Sequence, residues 1–528
     1  MPEISELDVF NNIMSANKPK SGVPSDVPKK IITEFAPELA TPMCKNFRRI
    51  IQSAKKGIAE WPPQWKVEWG TPLQKTTNPK TEDDLRVISL TPFPSKVLEK
   101  LVMSWLLFYV GDKIDPGQYG GLKDNSIAHY LIEIVNFIRF NQDFTEPIAV
   151  LACTIDFSKA FNRVNHNILI TKLSDMGVPG WLLNLVMGFL SKREMKVRYK
   201  GCTTESKSLP GGGPQGSLLG GFLFLILINL CGFPDQNHDV ASKICVKRER
   251  FCPETMHAKY VDDMTILESI NLKKTLEDNP ARPFPDAYRT RTGHTMPPQK
   301  SKVYEQIDAI QKYAEANEMK LNYEKTKFIL FNPTRNYDFL PELTRCDQTI
   351  SCVEEVKLLG IHLRSDLKWS SNTAAITKKA YARLWAITRL KKIGAKIEDL
   401  KDVYYKQVRS ALEFGVPVWN SDLKQADIQN IERVQKAFFH IVLGNEYNGY
   451  KAALAQMEME SLEERRHNLC ANFAIKTLKN PKFSNWFEIG GPSTRSNITR
   501  YCVPEANTKR FRKSPIPYLT DILNSGDR

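Results

Sequence analysis

The 528-residue chain is poor in the features that mark the specialised protein classes. Its 27 Gly and 32 Pro are too few for a low-complexity or collagen-like chain. None of its 10 Cys forms a C-x-x-C pair. Scattered, unpaired thiols fit a reducing compartment, so an intracellular protein of the nucleus and/or cytoplasm is expected. The first twenty residues (MPEISELDVFNNIMSANKPK) lack an apolar core and do not form a signal peptide. The longest greasy run, Leu218 to Phe233, is short of the ~20 residues a membrane span needs. Gly220, Gly221 and Asn229 interrupt it, so a buried core helix and no membrane partner are expected. Cys231, His238, Cys245, Cys252 and His257 are spaced too loosely for a zinc module and read as a surface insertion.

What is present is a folded-protein composition, 42% hydrophobic and 25% charged. At roughly 100–200 residues per domain, about three to five domains fit. Lys plus Arg total 74 against 59 Asp plus Glu, a net charge of +15, which favours a polyanionic partner such as nucleic acid.

The apolar period predicts a helix from Ile31 to Ile58, stopped by Pro62 and Pro63. Residues 65–95 alternate short extended runs with turn residues. A helix opening near Asp124 or Asn125 carries Ile127, Tyr130, Leu131, Ile134, Val135 and Ile138 at a 3.6-residue period. Ile148 to Ile155 is a continuous apolar run of strand length, buried on both faces, that stops at Asp156. Met195, Val197 and Tyr199 alternate with Lys196, Arg198 and Lys200, a half-buried strand with one basic face. The glycine-rich loop 211–216 runs into the greasy helix, and Tyr260-Val261-Asp262-Asp263 sits at a hairpin tip. From about residue 370 the chain reads as mostly helical, with Lys378, Lys379, Arg383, Arg389, Lys391 and Lys392 on one stretch free of acids.

Three carboxylates stand out: Asp156 at the end of a buried strand, and Asp262 with Asp263 at the hairpin. An ionised Asp beside an apolar strand is costly unless a cation or donor compensates it. Carboxylate oxygens without His or Cys favour Mg²⁺, and two such ions suit phosphoryl transfer. Adjacent Asp residues in a turn are also common as plain solvated loop residues.

The ordered set D-F-S-K-A-F (156–161), G-G-G-P-Q-G-S (211–217) and Y-V-D-D (260–263) resembles the palm motifs of reverse transcriptases. The flanking segments DLRVISLTPFPSKVLEK (84–100), QYGGLKDNS (118–126), MKLNYEKTKFILF (319–331) and VKLLGIHLRSDLKW (356–369) are similar to the non-LTR (LINE-like) retrotransposon branch. The resemblance covers about residues 20 to 480. It implies an α/β (α+β) right-hand polymerase with fingers, an antiparallel palm with helices, and a mostly helical thumb. The implied divisions are an N-terminal extension (1–60), fingers (61–145), palm (146–350, with insertions at about 232–257 and 271–305), primer-grip hairpin and thumb (351–445), and a C-terminal tail (446–528).

The resemblance also assigns roles. Asp156, Asp262 and Asp263 would be catalytic and would hold two Mg²⁺ ions, with Mn²⁺ as substitute, helped by the Phe157 carbonyl. Lys75 and Arg86 would bind the incoming triphosphate. Gln215 and Gly216 would lie under the nucleotide. Phe161 would collide with a ribose 2′-OH and select dNTPs; RNA-copying RNA polymerases place a smaller polar residue there and use G-D-D. Lys325, or else Lys327, would donate a proton to pyrophosphate. The six cations of 378–392 would grip an RNA template and DNA primer by their phosphates. Asn162 stands where the family often has Asp. The tail has RRHNLC (465–470) and a basic stretch from Lys509 to Lys513 but no zinc knuckle, and neither an endonuclease nor an RNase H signature is seen. The expectation is therefore the RNA-directed DNA polymerase part of a retroelement. A decayed or domesticated copy that only binds RNA is the alternative, and a group II intron-type enzyme a third reading.

Overall fold

The computed structural model describes residues 3–15, 23, 26–57, 59–76, 78–158, 160–229, 254–272, 301–334, 343–345, 348–490 and 500–526. Its strands are β1 (Val67–Gln74), β2 (Leu85–Leu90), β3 (Ile148–Ile155), β4 (Arg193–Tyr199), β5 (Cys202–Thr203), β6 (Lys207–Leu209), β7 (Thr255–Tyr260), β8 (Asp263–Asn271) and β9 (Lys327–Phe331). Two hairpins follow, β10 (Leu343–Arg345) with β11 (Gln348–Ile350), and β12 (Glu355–Leu358) with β13 (Ile361–Arg364). The chain divides into two compact units: Met1–Gly121 with Phe157–Pro234 and Ile307–Asn322, and Leu122–Asp156 with Asp235–Gln306 and Tyr323–Arg528.

The first unit holds a sheet of order β2-β1-β4-β5, with β6 also on β4. β1 pairs antiparallel with β2 and parallel with β4. Helix Ala36–Lys55 buries Ala40, Cys44, Phe47, Ile51 and Ala54, a stripe at helical spacing. The expected single helix from Ile31 is broken: Lys29–Glu34 and Ala36–Lys55 meet at Phe35. Pro37 is the cause, since its ring cannot follow a preceding helical turn. The greasy run forms helix Leu218–Leu227, buried at all but a few positions, and Ser217 caps it by accepting from the Gly220 N–H. Glu99, wholly buried, accepts from the Ser95 hydroxyl at 3.0 Å and the Leu219 N–H at 3.5 Å, tying helix Phe93–Val110 to that helix start.

The second unit is built on a four-stranded antiparallel sheet of order β7-β8-β3-β9. β3 is buried at every position but Thr154, as expected of a continuous apolar run. It is central because β8 and β9 pair on either side of it. Helix Ile127–Asn141 packs on this sheet and is buried from His129 to Asn141. Its cap is Ser126, one residue beyond the expected pair, because Asp124 takes a positive φ of 60° in the preceding turn. The strands also take in residues of the expected irregular stretches: 255–257 belong to β7, and 302–305 open helix Lys302–Ala316. Residues 231–253 and 273–300 lie outside the described residues, and with them most of the loose Cys/His grouping. The remainder is helical, led by Ser370–Lys392, Gln425–Leu443, Leu462–Leu478 and Pro515–Ser525. Among the described residues, no helix is long and apolar enough to cross a membrane.

Candidate active site

The three aspartates are placed by strand pairing in the second unit. β3 and β8 run antiparallel with Ile155 opposite Met264. One further step of that register sets Asp156 opposite Asp263, the first residue of β8. Tyr260 pairs with Asp263, so Val261 and Asp262 form a two-residue turn between β7 and β8. Val261 holds φ at +58°. A left-handed φ on a β-branched residue is strained by roughly 1–2 kcal/mol, and a tight hairpin turn demands it.

Asp156 is 27% exposed, but its Oδ2 is buried and accepts no hydrogen bond. Its charge partner is Lys325, whose Nζ lies 3.2 Å away. Lys325 stands in the turn before β9, while Lys327 opens that strand and reaches the Ser351 hydroxyl at 3.3 Å. Of the two lysines considered, Lys325 is thus the one beside an aspartate. Among the described residues, no three His, Cys, Asp or Glu side chains are gathered as a cation cage. Carboxylates close together repel unless a cation offsets them, and Lys325 supplies one beside Asp156. The Asp156 carboxylate, whose buried Oδ2 has Lys325 as its charge partner, and the two aspartates at the hairpin offer an all-oxygen donor set of the kind a hard divalent cation takes.

Behind the hairpin, the Tyr130 hydroxyl meets Thr265 Oγ1 at 2.7 Å, and the Tyr130 and Tyr260 rings meet edge-on at 6.0 Å. Burial pushes the Tyr130 phenol far above its ordinary value, against the lowering effect of its Thr265 bond, and the Asp263 charge adds to the rise. The phenol therefore stays neutral beside the aspartates. Sequence reasoning placed Tyr130 in a core stripe and missed this polar contact.

The remaining candidates lie in the first unit. Phe157 forms an isolated bridge with Leu321 and is buried. The half-buried Phe161 stacks on Phe224 with centroids 4.6 Å apart, and its carbonyl accepts from the Gly213 N–H at 2.9 Å. The glycine-rich loop is pinned to β2, where the Ser89 N–H donates to the Gln215 carbonyl at 2.7 Å. A Cβ on Gly216, at φ +127°, would lie 2.6 Å from the Ser89 carbonyl oxygen. The missing side chain is thus required by the neighbouring strand itself, a reason the sequence did not reveal. Arg86, exposed, stands three residues before Ser89 on the same strand. Lys75 is exposed just past β1, its N–H donating to the Asp84 carbonyl at 2.8 Å.

On helix Ser370–Lys392, Lys378, Lys379, Arg389 and Lys392 are exposed. Arg383 and Lys391 are engaged within the chain. Arg383 donates to the Gln407 carbonyl, and Lys391 to the Ile441 and Val442 carbonyls at 2.6 and 2.9 Å. Those two carbonyls end helix Gln425–Leu443, where a cation is favoured by the helix dipole. Two aromatic residues were missed: Tyr381 and Trp385 are 43% and 64% exposed, and the Arg389 guanidinium lies 4.8 Å over the Trp385 ring. With Lys378 and Lys392 they fall at helical spacing on one face, which an apolar residue among cations could have signalled. Just before this helix, β12 and β13 form a hairpin whose turn, Leu359 and Gly360, has positive φ at both positions.

Residues 78–363 match the family model described as reverse transcriptase (RNA-dependent DNA polymerase). A probable RNA-directed DNA polymerase from transposon BS of Drosophila melanogaster is 22% identical over 73% of this chain and 39% of its own length. The RNA-directed DNA polymerase from mobile element jockey of Drosophila funebris is 24% identical over 66% of this chain and 34% of its own. The chain thus spans well under half the length of these curated relatives. An apo telomerase structure from Candida tropicalis aligns over 85% of this chain and 68% of its own at 13% identity, with a TM-score of 0.39.

Proposed function

The chain belongs to the reverse transcriptase (RNA-dependent DNA polymerase) family, and on that premise we propose that it is the RNA-directed DNA polymerase of a LINE-like retroelement. Its substrates are dNTPs, an RNA template and a DNA primer, with no membrane involved. Work on such substrates places it inside the cell, in the nucleus or cytoplasm. The observation that carries this reading is the β3–β8 register, which ends with Ile155 opposite Met264 and so brings the chain at Asp156 next to Asp263 and the β7–β8 hairpin.

Asp156, Asp262 and Asp263 would hold the divalent cations, taken as two Mg²⁺ with Mn²⁺ as substitute, and the Phe157 carbonyl would add a ligand. When bound, such ions activate a primer 3′-OH and neutralise charge on leaving pyrophosphate. The protein's own part is mostly alignment and charge. Lys325, 3.2 Å from Asp156, holds that carboxylate in place, and its proposed role is to give a proton to the leaving group. Arg86 and Lys75 neutralise the triphosphate. Gln215 and Gly216 form a floor of backbone fixed by β2. Phe161, braced by Phe224, excludes the ribose 2′-OH.

The proposed divisions are fingers at 61–145, palm at 146–350, primer grip and thumb at 351–445, with 1–60 and 446–528 as extension and tail. In the thumb, Lys378, Lys379, Arg389 and Lys392 contact phosphates, and Tyr381 and Trp385 offer ring faces to the nucleic acid. The test is extension of a DNA primer on an RNA template with Mg²⁺ and dNTPs. The wild type extends and Asp262→Ala does not. Equal incorporation by the two, or none by either, removes the enzymatic reading, and the second result favours a binding-only copy.

A further inference from the structure

Helix Ile127–Asn141 is buried on all sides, and it makes directional contacts on two of them. On one side Tyr130 reaches the catalytic hairpin, through Thr265 on β8 at 2.7 Å and the Tyr260 ring on β7. Thr265 is two residues past Asp263. On another side the partners come from the C-terminal tail. His129 Nε2 and Thr477 Oγ1 are 3.0 Å apart, and the His129 ring stacks on Phe483 at 4.1 Å and 6°. One turn along, Glu133 Oε1 accepts from the Trp486 indole N–H at 2.7 Å. His129 and Glu133 share a face by their spacing of four, and Tyr130 points about 100° away.

Apolar packing alone lets a helix slip or rotate at small cost, because dispersion contacts are individually weak and non-directional. Buried polar contacts do not. A glutamate or an imidazole at 3% or 5% exposure leaves a desolvated atom unmatched if the helix turns. The two contacts therefore fix both the rotation of the helix and its position along its axis.

We propose that Thr477 and Trp486 of the tail are positioning residues for catalysis, acting through helix Ile127–Asn141 and Tyr130 to set where Thr265, and with it Asp263, stands. This rests on the polymerase reading. It makes the tail part of the catalytic apparatus, although it lies outside the family-matched span.

The test is single-turnover incorporation by the full chain carrying Trp486→Phe, Tyr130→Phe, or both, with melting temperature followed in parallel. Tyr130→Phe loses its hydroxyl contact and keeps its ring, and Trp486→Phe loses the indole N–H and keeps a smaller aromatic ring, so the melting temperature reports any packing loss. The maximal rate is expected to fall on the order of tenfold, as misplaced reacting groups lose alignment. Half-saturation for dNTP and primer–template stays within about twofold, since neither residue binds them. The double variant is expected to be no slower than the slower single one, because both act on one linkage. Glu133→Gln, which still accepts the indole N–H, keeps the rate, and Glu133→Leu loses it. Rates equal to wild type per folded molecule, or independent multiplication of the two effects, overturn the proposal. A wild type that incorporates nothing defeats only the polymerase reading. Amide exchange across residues 260–265 then decides. Exchange faster in Trp486→Phe than in wild type upholds the linkage, and unchanged exchange ends it.

Discussion

Val261, strained at φ +58°, shows what a reading of residue types can and cannot supply at the scale of single side chains. Asp156, Asp262 and Asp263 stood out in the sequence because charge next to apolar strand is chemically conspicuous. The strain at Val261 did not, since a valine in a hairpin looks like any strand residue. Gly216 was visible as a glycine, but its reason, a carbonyl of β2 at 2.6 Å from any Cβ, depends on a strand far away in sequence. Phe161 admits two readings, a steric gate and a core aromatic, and its stack on Phe224 braces the ring for either. Phe161→Ala separates them. Incorporation of ribonucleotides relative to deoxynucleotides is expected to rise at least about tenfold, the scale on which pocket shape discriminates. An unchanged ratio with a lowered melting temperature leaves only the core role.

Among the elements, β3 was legible end to end, because an unbroken apolar run bounded by Pro147 and Asp156 has one plausible form. Helix Ile127–Asn141 was legible as a helix, but its polar residues were not recognised as buried. Periodicity marks apolar faces and is silent about His129 and Glu133, which are matched by residues some 350 positions on. Their burial has a measurable consequence. Burial pushes the Glu133 carboxyl up to about 7 from 4.5, and lowers His129 to about 4 from 6.5 with help from the Lys482 charge. For Glu133 the folded state keeps a proton that the unfolded chain releases, so its contribution to stability falls as pH rises from 4.5 to 7. For His129 the unfolded chain holds the extra proton, so stability rises from about 4 to 6.5. The two slopes offset each other where they overlap. Glu133→Gln removes one of them. Denaturant unfolding between pH 4.5 and 6.5 should show stability climbing more steeply in the variant, by about 1.4 kcal/mol per pH unit. Parallel curves would mean that Glu133 titrates as an ordinary surface carboxylate.

At the scale of the whole molecule, composition pointed to the partner before any motif did. A net charge of +15 is a property of the chain that survives every error in element boundaries. Sequence order hid the sheet order: β3 lies between β8 and β9, strands more than a hundred residues later, and no local pattern encodes such a pairing. The motif set supplied it through resemblance instead. Affinity for primer–template should fall steeply with salt, because each phosphate contact releases condensed counterions. Lys378, Lys379, Arg389 and Lys392, exposed on one helix, are expected to carry up to about four units of the log–log slope between them. Replacing all four by Gln should flatten the slope by nearly that amount. A slope indifferent to the replacement would move nucleic-acid binding elsewhere.

Everything returns to the carboxylate at the end of β3. The direct measurement is the single-nucleotide incorporation rate of Asp156→Asn against wild type, on a DNA-primed RNA template with Mg²⁺. Asparagine keeps the shape and removes the charge that Lys325 and a cation would share. The account predicts a rate lower by at least about a thousandfold with primer–template affinity unchanged. A variant that incorporates as fast as wild type would contradict it.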